Sequence, residues 1–283
     1  RMVLQYGREA EFLLEEGATP QQVDAALRNF GMAMGPFAMR DLSGLDIGQA
    51  IRKRQRATLP AHLDFPTVSD KLCAAGMLGQ KTGAGYYRYE PGNRTPQENP
   101  DLAPMLEAAS REKGIERQAL DEQYIVERCI FALVNEGAKI LEEGIAQRSS
   151  DIDVIYLNGY GFPAFRGGPM YYADSVGLDK VLARVKELHA RCGDWWKPAP
   201  LLEKLAARGV DYLHFSVGAT LRPSIVDTCD PTPLIEKYCA MRSDTLAQVP
   251  VMGVGGVVNV ADAELGLDHG YDLIAVGRAC IAY

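Results

Sequence analysis

An internal duplication constrains the fold of this chain more than any other feature of its sequence. The triplet Glu15-Glu16-Gly17 recurs as Glu142-Glu143-Gly144. In each copy a glutamate lies eight residues before the glycine and an arginine lies sixteen residues before it. These upstream residues are Glu9 and Arg1 in the first copy and Glu136 and Arg128 in the second. A pattern that returns at fixed offsets predicts two copies of one supersecondary unit.

The match continues downstream of each glycine. Met34-Gly35-Pro36-Phe37 corresponds to Gly167-Gly168-Pro169-Met170, and an aspartate lies five residues beyond each proline, at Asp41 and Asp174. Gly-Leu-Asp then follows in both copies, from Gly44 and from Gly177. The glycine that ends Glu-Glu-Gly and the glycine before the proline are separated by 18 residues in the first copy, Gly17 to Gly35, and by 24 in the second, Gly144 to Gly168. We therefore expect the second copy to carry a loop six residues longer, at about 159–164.

Apolar residues within the copies recur at helical spacing, as at Ile130, Leu133, Val134, Ala138 and Leu141. Gly17 and Gly144 are typical helix ends, and Thr19-Pro20 is a typical helix start. The third helix is predicted to run from about residue 36 to 54, with a counterpart from about 169 to 188. Each copy is therefore predicted to be all-α, and the first strand-like stretch is 86–89.

After residue 209 the periodicity changes to short apolar strands that alternate with helices. Strands are predicted at 210–217, 251–258 and 272–276, and helices at 231–247 and 261–268. This βαβαβ order is typical of a parallel sheet or barrel. The predicted fold is thus mainly α, a duplicated helical domain followed by a partial (β/α) barrel. The predicted divisions are copy 1 at 1–92, a linker at 93–118, copy 2 at 119–209 and the barrel segment at 210–283.

Composition excludes several functional classes. The net charge of −7 has the wrong sign for a general nucleic-acid binder. No apolar run is long enough to span a membrane, and no signal sequence is visible. The six cysteines form neither a disulfide framework nor a metal-ligand pattern, so we expect no metal site and a cytoplasmic location.

Two glycine motifs in the last segment predict a phosphate site. Gly255-Gly256, with Val257 next to them, follow one predicted strand, and Gly277-Arg278 follow the next. Glycines let backbone N–H groups approach a phosphate closely, and an adjacent arginine can bind it through two hydrogen bonds. The alternative is that the glycines only form tight turns and Arg278 is a surface residue.

The segment Met34-Gly35-Pro36-Phe37 lies in a methionine-rich stretch. Methionine side chains adapt to irregular apolar space, so this segment is a candidate wall for an alkyl chain. Helical core packing explains the same residues equally well. Both interpretations stay open from the sequence alone.

Other polar motifs favour structural roles. Glu9, Glu136, Asp41 and Asp174 occupy equivalent places in the two copies, which favours caps and buried salt bridges over acid catalysis. The glycine-rich run 79–87 lacks the order of a P-loop and is predicted to be a structural turn. The basic run 52–56 could contact a polyanion, although a solvated helix end is favoured.

The four histidines, His62, His189, His214 and His269, form no catalytic pattern. His214 is the only one expected to face a pocket. A core or surface role is favoured for each of them, and we identify no catalytic residue in the chain.

Residues 1 to about 209 resemble the duplicated C-terminal region of 3-hydroxyacyl-CoA dehydrogenases, especially the bacterial multifunctional fatty-acid oxidation enzymes. The resemblance rests on ordered motifs at 6–17, 34–38, 78–87 and 165–169. It implies an oxidoreductase of fatty-acid β-oxidation and lipid metabolism that acts on an acyl-CoA substrate.

The resemblance also implies partners. In that family the helical region packs against an N-terminal Rossmann domain, which binds NAD and carries most catalytic groups, and it supports homodimer contacts. This sequence contains no GxGxxG motif, and the family's catalytic histidine and glutamate would lie before Arg1. We therefore expect no dehydrogenase activity from this chain alone.

Residues 210–283 resemble the last strands of the FMN-dependent old yellow enzyme family. The similar stretches are 210–216, 250–257 and 272–278. The resemblance implies that Gly255, Gly256, Val257, Gly277 and Arg278 hold the FMN phosphate. A barrel needs about 250 residues, so these strands are too few to close one.

The two resemblances meet at 207–210 without a linker. We therefore expect the chain to be a composite of two fragments. The alternatives to a dehydrogenase helical region are an FMN-dependent ene-reductase and a non-catalytic helical dimerisation module.

Overall fold

The computed structural model describes residues 1–208, 213–216, 251–254, 264, 267–268 and 273–275. The chain divides into two compact units, Arg1–Ala207 and Arg208–Tyr283.

The first unit begins with five helices that belong to the first copy. They are α1 (Met2–Glu16), α2 (Pro20–Phe30), α3 (Pro36–Ser43), α4 (Leu45–Arg56) and α5 (Val68–Ala74). A short antiparallel pair follows, β1 (Tyr87–Arg88) and β2 (Gln97–Glu98). The start of α2 is the predicted one: the Thr19 side chain accepts from the Gln22 N–H, and the Gln22 side chain accepts from the Thr19 N–H. This reciprocal capping satisfies two backbone donors that the first helical turn would otherwise leave unpaired.

Six more helices complete the unit. They are α6 (Leu102–Glu112), α7 (Glu122–Glu142), α8 (Ser149–Gly159), α9 (Pro169–Val176), α10 (Leu178–Cys192) and α11 (Pro200–Arg208). The predicted linker 93–118 thus contains α6, which packs against α1 and α5. The boundaries assigned to the two copies stay predictions.

The third helix of each copy is broken, which the sequence prediction missed. A single helix was expected over about 36–54 and again over about 169–188, but the chain forms α3 and α4, then α9 and α10. The breaks fall at Gly44, with φ 97°, and at Gly177, with φ 100°. A positive φ cannot continue a right-handed helix, and glycine adopts it without a steric penalty from a side chain. The Gly-Leu-Asp motif therefore marks a change of helix direction in both copies.

The core of the first unit lies where the copies meet. Helix α1 packs most extensively against α7, and α2 and α9 also pack against α7. Leu13, Leu14, Ile130 and Leu133 are almost completely buried there. Full burial of one such side chain contributes about 1.5–3 kcal/mol. The two copies therefore share one hydrophobic core.

The second unit contains a parallel sheet in its described residues. The strands are β3 (Leu213–Ser216), β4 (Val251–Val254) and β5 (Leu273–Ala275), in the order β3-β4-β5. Leu213 pairs with Val251, and Met252 pairs with Leu273. These strands confirm the predicted parallel pairing, and Glu264, Leu267 and Asp268 within predicted helix 261–268 are helical. The predicted helix 231–247 lies outside the described residues.

Among the described residues, no helix combines the length and the apolar character needed to cross a membrane.

Candidate functional site

The first candidate segment, Met34 to Phe37, forms the entry to α3. The Asp24 carboxylate on α2 accepts hydrogen bonds from the Phe37 N–H at 2.9 Å and from the Ala38 N–H at 3.0 Å. Burial raises the pKa of Asp24, and the two backbone donors oppose that shift. Asp24 therefore caps α3 from another helix and holds the segment in place.

The members of this segment face different surroundings. Phe37 is fully buried and lies 4.5 Å from the Tyr86 ring, centroid to centroid. Gly35 and Pro36 are also buried, whereas Met34 is 43% exposed. Of the two open interpretations, core packing describes Phe37, and only Met34 is available to a ligand.

An aromatic side chain of the second copy lies beside the chain that leads to Met34. The Ala33 N–H donates to the Gly161 carbonyl at 3.0 Å, and Phe165 borders Gly31. Phe165 is 77% exposed, the largest exposure among the large apolar side chains of the described residues. Each copy thus has an exposed apolar residue at or next to the stretch 31–34, and exposed apolar surface is typical of a site that binds an apolar group.

The second copy repeats the cap of α3. The Asp153 carboxylate on α8 accepts from the Met170 N–H at 2.7 Å and from the Tyr171 N–H at 3.1 Å, at the start of α9. Burial raises the pKa of Asp153 as well. Asp24 and Asp153 were not predicted because their offsets from the repeated motifs differ: Asp24 lies seven residues after Gly17, whereas Asp153 lies nine residues after Gly144. The signal that could have revealed them is an aspartate after a β-branched residue, Val23 or Ile152, in the helix before each Gly-Pro.

Asp41 binds the glycine-rich run 79–87. Its carboxylate accepts from the Tyr86 N–H at 3.0 Å, the Tyr87 N–H at 2.9 Å and the Tyr89 hydroxyl at 3.1 Å. Burial raises the pKa of Asp41 to about 6, against these three donors. A Cβ at Gly85 would overlap the Asp41 carboxylate. The run is therefore the structural turn that the sequence predicted, with no phosphate role in this geometry.

Glu9 lies at the centre of a buried ion-pair network. It accepts from Arg8, from Arg128 at 2.8 Å and from the Trp196 indole N–H at 2.8 Å. Burial disfavours the charged form, but Arg128 and Arg8 hold the pKa of Glu9 below its usual range. Glu136 pairs with Arg1 at 2.6 Å. Both glutamates therefore have the predicted structural role.

Asp174 does not behave like its counterpart Asp41. The residue is exposed and its side chain makes no hydrogen bond or ion pair among the described residues, although partial burial raises the pKa of this carboxyl too. The prediction of a cap or a buried salt bridge is wrong for this residue. We call residues 79–89, whose tyrosines contact Asp41, the tyrosine hairpin. Within the described residues, no such hairpin of the second copy packs against Asp174, so the position of Asp174 in the repeat did not determine its contacts.

The basic run 52–56 is not wholly the solvated helix end that the sequence favoured. Arg52 is 6% exposed and donates to Asp70 at 2.6 Å, and Arg56 donates to the other Asp70 oxygen at 2.8 Å. Lys53 and Arg54 are exposed. Only part of the run is therefore free to contact an external anion.

His62 and His189 meet at one carboxylate. The Nε2–H of each ring donates to a different oxygen of the Asp194 carboxylate at 2.9 Å. The side chains of His62 and Asp194 are exposed and that of His189 is 35% exposed, so a surface role is confirmed for these two histidines. The side chain of His214 and the whole of His269 lie outside the described residues.

The predicted phosphate residues, Gly255, Gly256, Val257, Gly277 and Arg278, also lie outside the described residues. Within the described part of the chain, no group of three histidine, cysteine, aspartate or glutamate side chains is arranged to hold a metal ion.

The fold is that of the duplicated helical region of a dehydrogenase. A family model, described as the C-terminal domain of 3-hydroxyacyl-CoA dehydrogenase, matches residues 1–89 and 124–210. Because the matched residues cover more than half of the chain and both copies, the chain belongs to the 3-hydroxyacyl-CoA dehydrogenase family, a family of oxidoreductases. The resemblance of residues 1 to about 209 to this family, inferred from the motifs, is confirmed.

Individual relatives agree with this assignment. A peroxisomal bifunctional enzyme from Danio rerio is 47% identical over 223 residues, which are 74% of this chain and 31% of that protein. The chain thus spans about a third of the length of such relatives. An NADH:fumarate oxidoreductase from Klebsiella pneumoniae (strain 342) is 98% identical over 83 residues, 29% of this chain and 9% of that protein.

A solved structure supports the fold. The dehydrogenase part of multifunctional enzyme 1 from C. elegans superposes with a TM-score of 0.57 at 23% identity, over 72% of this chain and 46% of the other.

Proposed function

We propose that the chain supplies the helical substrate-side region of an NAD-dependent 3-hydroxyacyl-CoA dehydrogenase of fatty-acid β-oxidation. The family match across both copies carries this proposal. The parent reaction oxidises a 3-hydroxyacyl-CoA to the 3-oxoacyl-CoA. A Rossmann domain of the parent enzyme is the partner that this role requires.

Met34 is the residue we propose as the acyl contact. Gly35, Pro36 and Phe37 position it, because Asp24 caps the helix that they begin and Phe37 anchors that helix in the core. Phe165 adds a second exposed apolar surface next to the same segment. An acyl chain bound there would cover apolar surface of Met34 and Phe165 that is now in contact with water.

NAD supplies the hydride acceptor in this chemistry. Hydride transfer also needs a base within hydrogen-bond reach of the substrate hydroxyl. The 283 residues contain no GxGxxG motif, and the buried carboxylates described above are engaged in structural contacts. The role of this chain is therefore to bind and shape the substrate side.

The proposal is tested by assaying the chain with 3-hydroxybutyryl-CoA and NAD, alone and mixed with the Rossmann domain of a relative. We expect no turnover alone and acyl-CoA binding, measured by calorimetry, that Met34→Glu weakens. Ile145→Glu is the matched control, because Ile145 is 64% exposed and lies in the turn after α7. Turnover by the chain alone, or equal binding by both variants, would contradict the proposal.

A second candidate concerns residues 210–283. We propose that this stretch derives from an FMN-dependent oxidoreductase, in which Gly255, Gly256, Val257, Gly277 and Arg278 contact the phosphate. The match to an NADH:fumarate oxidoreductase and the parallel order β3-β4-β5 support it. Reconstitution with FMN tests it: flavin absorbance that stays with the protein on desalting, and that Arg278→Ala reduces, is the expected result.

Self-association and location complete the proposal. We propose a homodimer and a cytoplasmic location, although several relatives are named peroxisomal. The surface between α1 and α7 is already buried within one chain, so a dimer has to use another face. Sedimentation or size exclusion with light scattering distinguishes a dimer from a monomer. A dimer that neither binds an acyl-CoA nor complements a Rossmann domain would favour the non-catalytic module instead.

A further inference from the structure

The first unit contains a cavity of about 230 Å³ that the dehydrogenase role does not use. It lies between α1, α4, the segment 58–66 and Trp195. We call it the arginine pocket, because Arg8, Arg40 and Arg52 line it beside a single carboxylate, Glu11.

One donor of a buried arginine that lines this pocket makes no hydrogen bond within the described residues. The Arg52 side chain is 7% exposed, and its Nε and Nη2 both donate to Asp70 Oδ1, at 3.2 and 2.6 Å. Its Nη1 lies 3.9 Å from Glu11 Oε1 and makes no hydrogen bond within the described part of the chain. Nη1 is not a fully buried atom, and an accessible guanidinium donor can bind an anion through a charge-assisted hydrogen bond.

Glu11 cannot serve as a full acceptor for Arg52. The same Glu11 oxygen, Oε1, accepts from Arg40, and the other, Oε2, accepts from the Ser69 hydroxyl at 2.8 Å. Glu11 is therefore a single buried carboxylate between two arginines.

The charges around the pocket leave a small positive excess. The ion pairs here form two separate sets, and only the set that includes Arg52 has more arginines than carboxylates, three against two. That set contains Arg40, Arg52 and Arg56 with Glu11 and Asp70, whereas in the other set Arg8 and Arg128 balance Glu9 and Glu16. This excess of one positive charge occurs in a chain whose net charge is −7. One negative charge would neutralise it.

Apolar residues form much of the remaining wall, together with Gln5, Gln55 and Thr58. Leu4, Ile51, Leu59 and Phe65 line the pocket, and the Phe65 ring lies 5.5 Å from the Trp195 ring, centroid to centroid. A cavity of this size is smaller than the roughly 300–1,000 Å³ of sites for drug-sized ligands. Its occupant is therefore a small molecule with one charged end and an apolar body.

We propose that the arginine pocket binds a short-chain monocarboxylate, with the carboxylate on Arg52 Nη1 and the alkyl chain against Ile51 and Phe65. A charge-assisted hydrogen bond in a largely buried site is the strong kind. A phosphate dianion would exceed the single excess charge and would place no group against the apolar walls. This site goes beyond the proposed dehydrogenase role and does not depend on it.

The test titrates the full chain with butyrate while the emission of its two tryptophans and the heat of binding are followed. Trp195 lines the pocket, so its emission should change on binding. Butanol has the same chain length without the charge, and inorganic phosphate has charge without an alkyl chain. We expect saturable binding of butyrate and at least about tenfold weaker binding of the other two.

Two variant pairs locate the site. A Cβ at Gly48 would lie 3.1 Å from Arg52 Nη1, so Gly48→Leu should fill the pocket, whereas Ala50→Leu on the exposed side of α4 should not. Arg52→Met should weaken butyrate binding about tenfold or more, and Arg54→Met, which removes an exposed charge of the same helix from outside this set of ion pairs, should not.

Replacing a helical glycine by leucine favours the helix, so the Gly48 variant keeps the test valid if Arg52→Met fails to fold. No saturable butyrate binding, equal binding of phosphate, or unchanged binding by Gly48→Leu would each overturn the proposal.

Discussion

Arg128 of the second copy donates to Glu9 of the first at 2.8 Å, and Arg1 of the first copy donates to Glu136 of the second at 2.6 Å. Because Arg1 and Arg128 are equivalent in the duplication, as are Glu9 and Glu136, the two ion pairs are reciprocal. A second reciprocal pair joins Arg128 to Glu16 and Arg1 to Glu143. The copies therefore face each other with approximate two-fold symmetry, the arrangement that an isologous dimer would have between two chains.

The two reciprocal ion pairs differ in burial, so we predict that they contribute unequally to the free energy of unfolding. The side chains of Arg128 and Glu9 are each 1% exposed, whereas that of Arg1 is 40% exposed. Arg128→Met should lower the free energy of unfolding by about 3–5 kcal/mol, because it removes the partner of a buried charge. Arg1→Met is the matched control and should cost about 1 kcal/mol or less. Urea unfolding of both variants measures this, and equal losses would contradict the interpretation.

The Asp41 contacts predict a second asymmetry between equivalent residues. In Asp41→Asn an amide NH₂ replaces one carboxylate oxygen and faces the N–H of Tyr86 or Tyr87, so a donor meets a donor. We expect a loss of about 2–3 kcal/mol in the free energy of unfolding at pH 7. Asp174→Asn should change stability by less than about 0.5 kcal/mol, because that side chain is exposed. A similar loss in both variants would show that the hairpin contacts are not the cause.

The raised pKa of Asp41 predicts a dependence on pH. Its pKa is raised from 3.8 to about 6 by burial. Between about pH 4 and pH 6 the folded protein keeps a proton that the unfolded chain has released, so this group's contribution to stability falls as the pH rises. Below that window both states are protonated, and above it both are ionised.

The stability difference between the original chain and Asp41→Asn isolates this group. It should therefore be about 1–2 kcal/mol larger at pH 4 than at pH 7. Chemical unfolding of both proteins across this range provides the measurement. A difference that is constant with pH, or that grows as the pH rises, would contradict a raised pKa.

The close approach at Gly85 gives a packing prediction. A Cβ there would overlap the Asp41 carboxylate and would lie 2.8 Å from the Gly79 Cα, so neither neighbour can move without breaking the turn. Gly85→Ala should lower the melting temperature strongly, with a loss of about 2–4 kcal/mol. Gly92→Ala is the control, since its φ is 80° but no atom lies within 4 Å of an added Cβ. It should cost only about 1 kcal/mol, and calorimetry of both variants compares the two costs.

Local sequence signals predicted much of the secondary structure. Helical spacing, the Thr19 cap and the Gly17 and Gly144 ends concern residues within one or two turns of each other, where backbone geometry decides the outcome. The break at Gly44 was missed because glycine in a helical pattern is also compatible with a continuous helix, and only the observed φ separates the two.

The sequence by itself determined the duplication, the helical class, the parallel order of the last strands and the family. Tertiary structure alone decided which charged groups meet. Arg128 reaches Glu9 across 119 positions of the chain, and Asp41 reaches the Tyr86 N–H across 45. Equal offsets in the repeat could not show that Asp41 is buried under a hairpin while Asp174 faces solvent. The physical reason is that the pKa and energy of a charge depend on desolvation and on partners distant in sequence, which the packing of the two copies brings together.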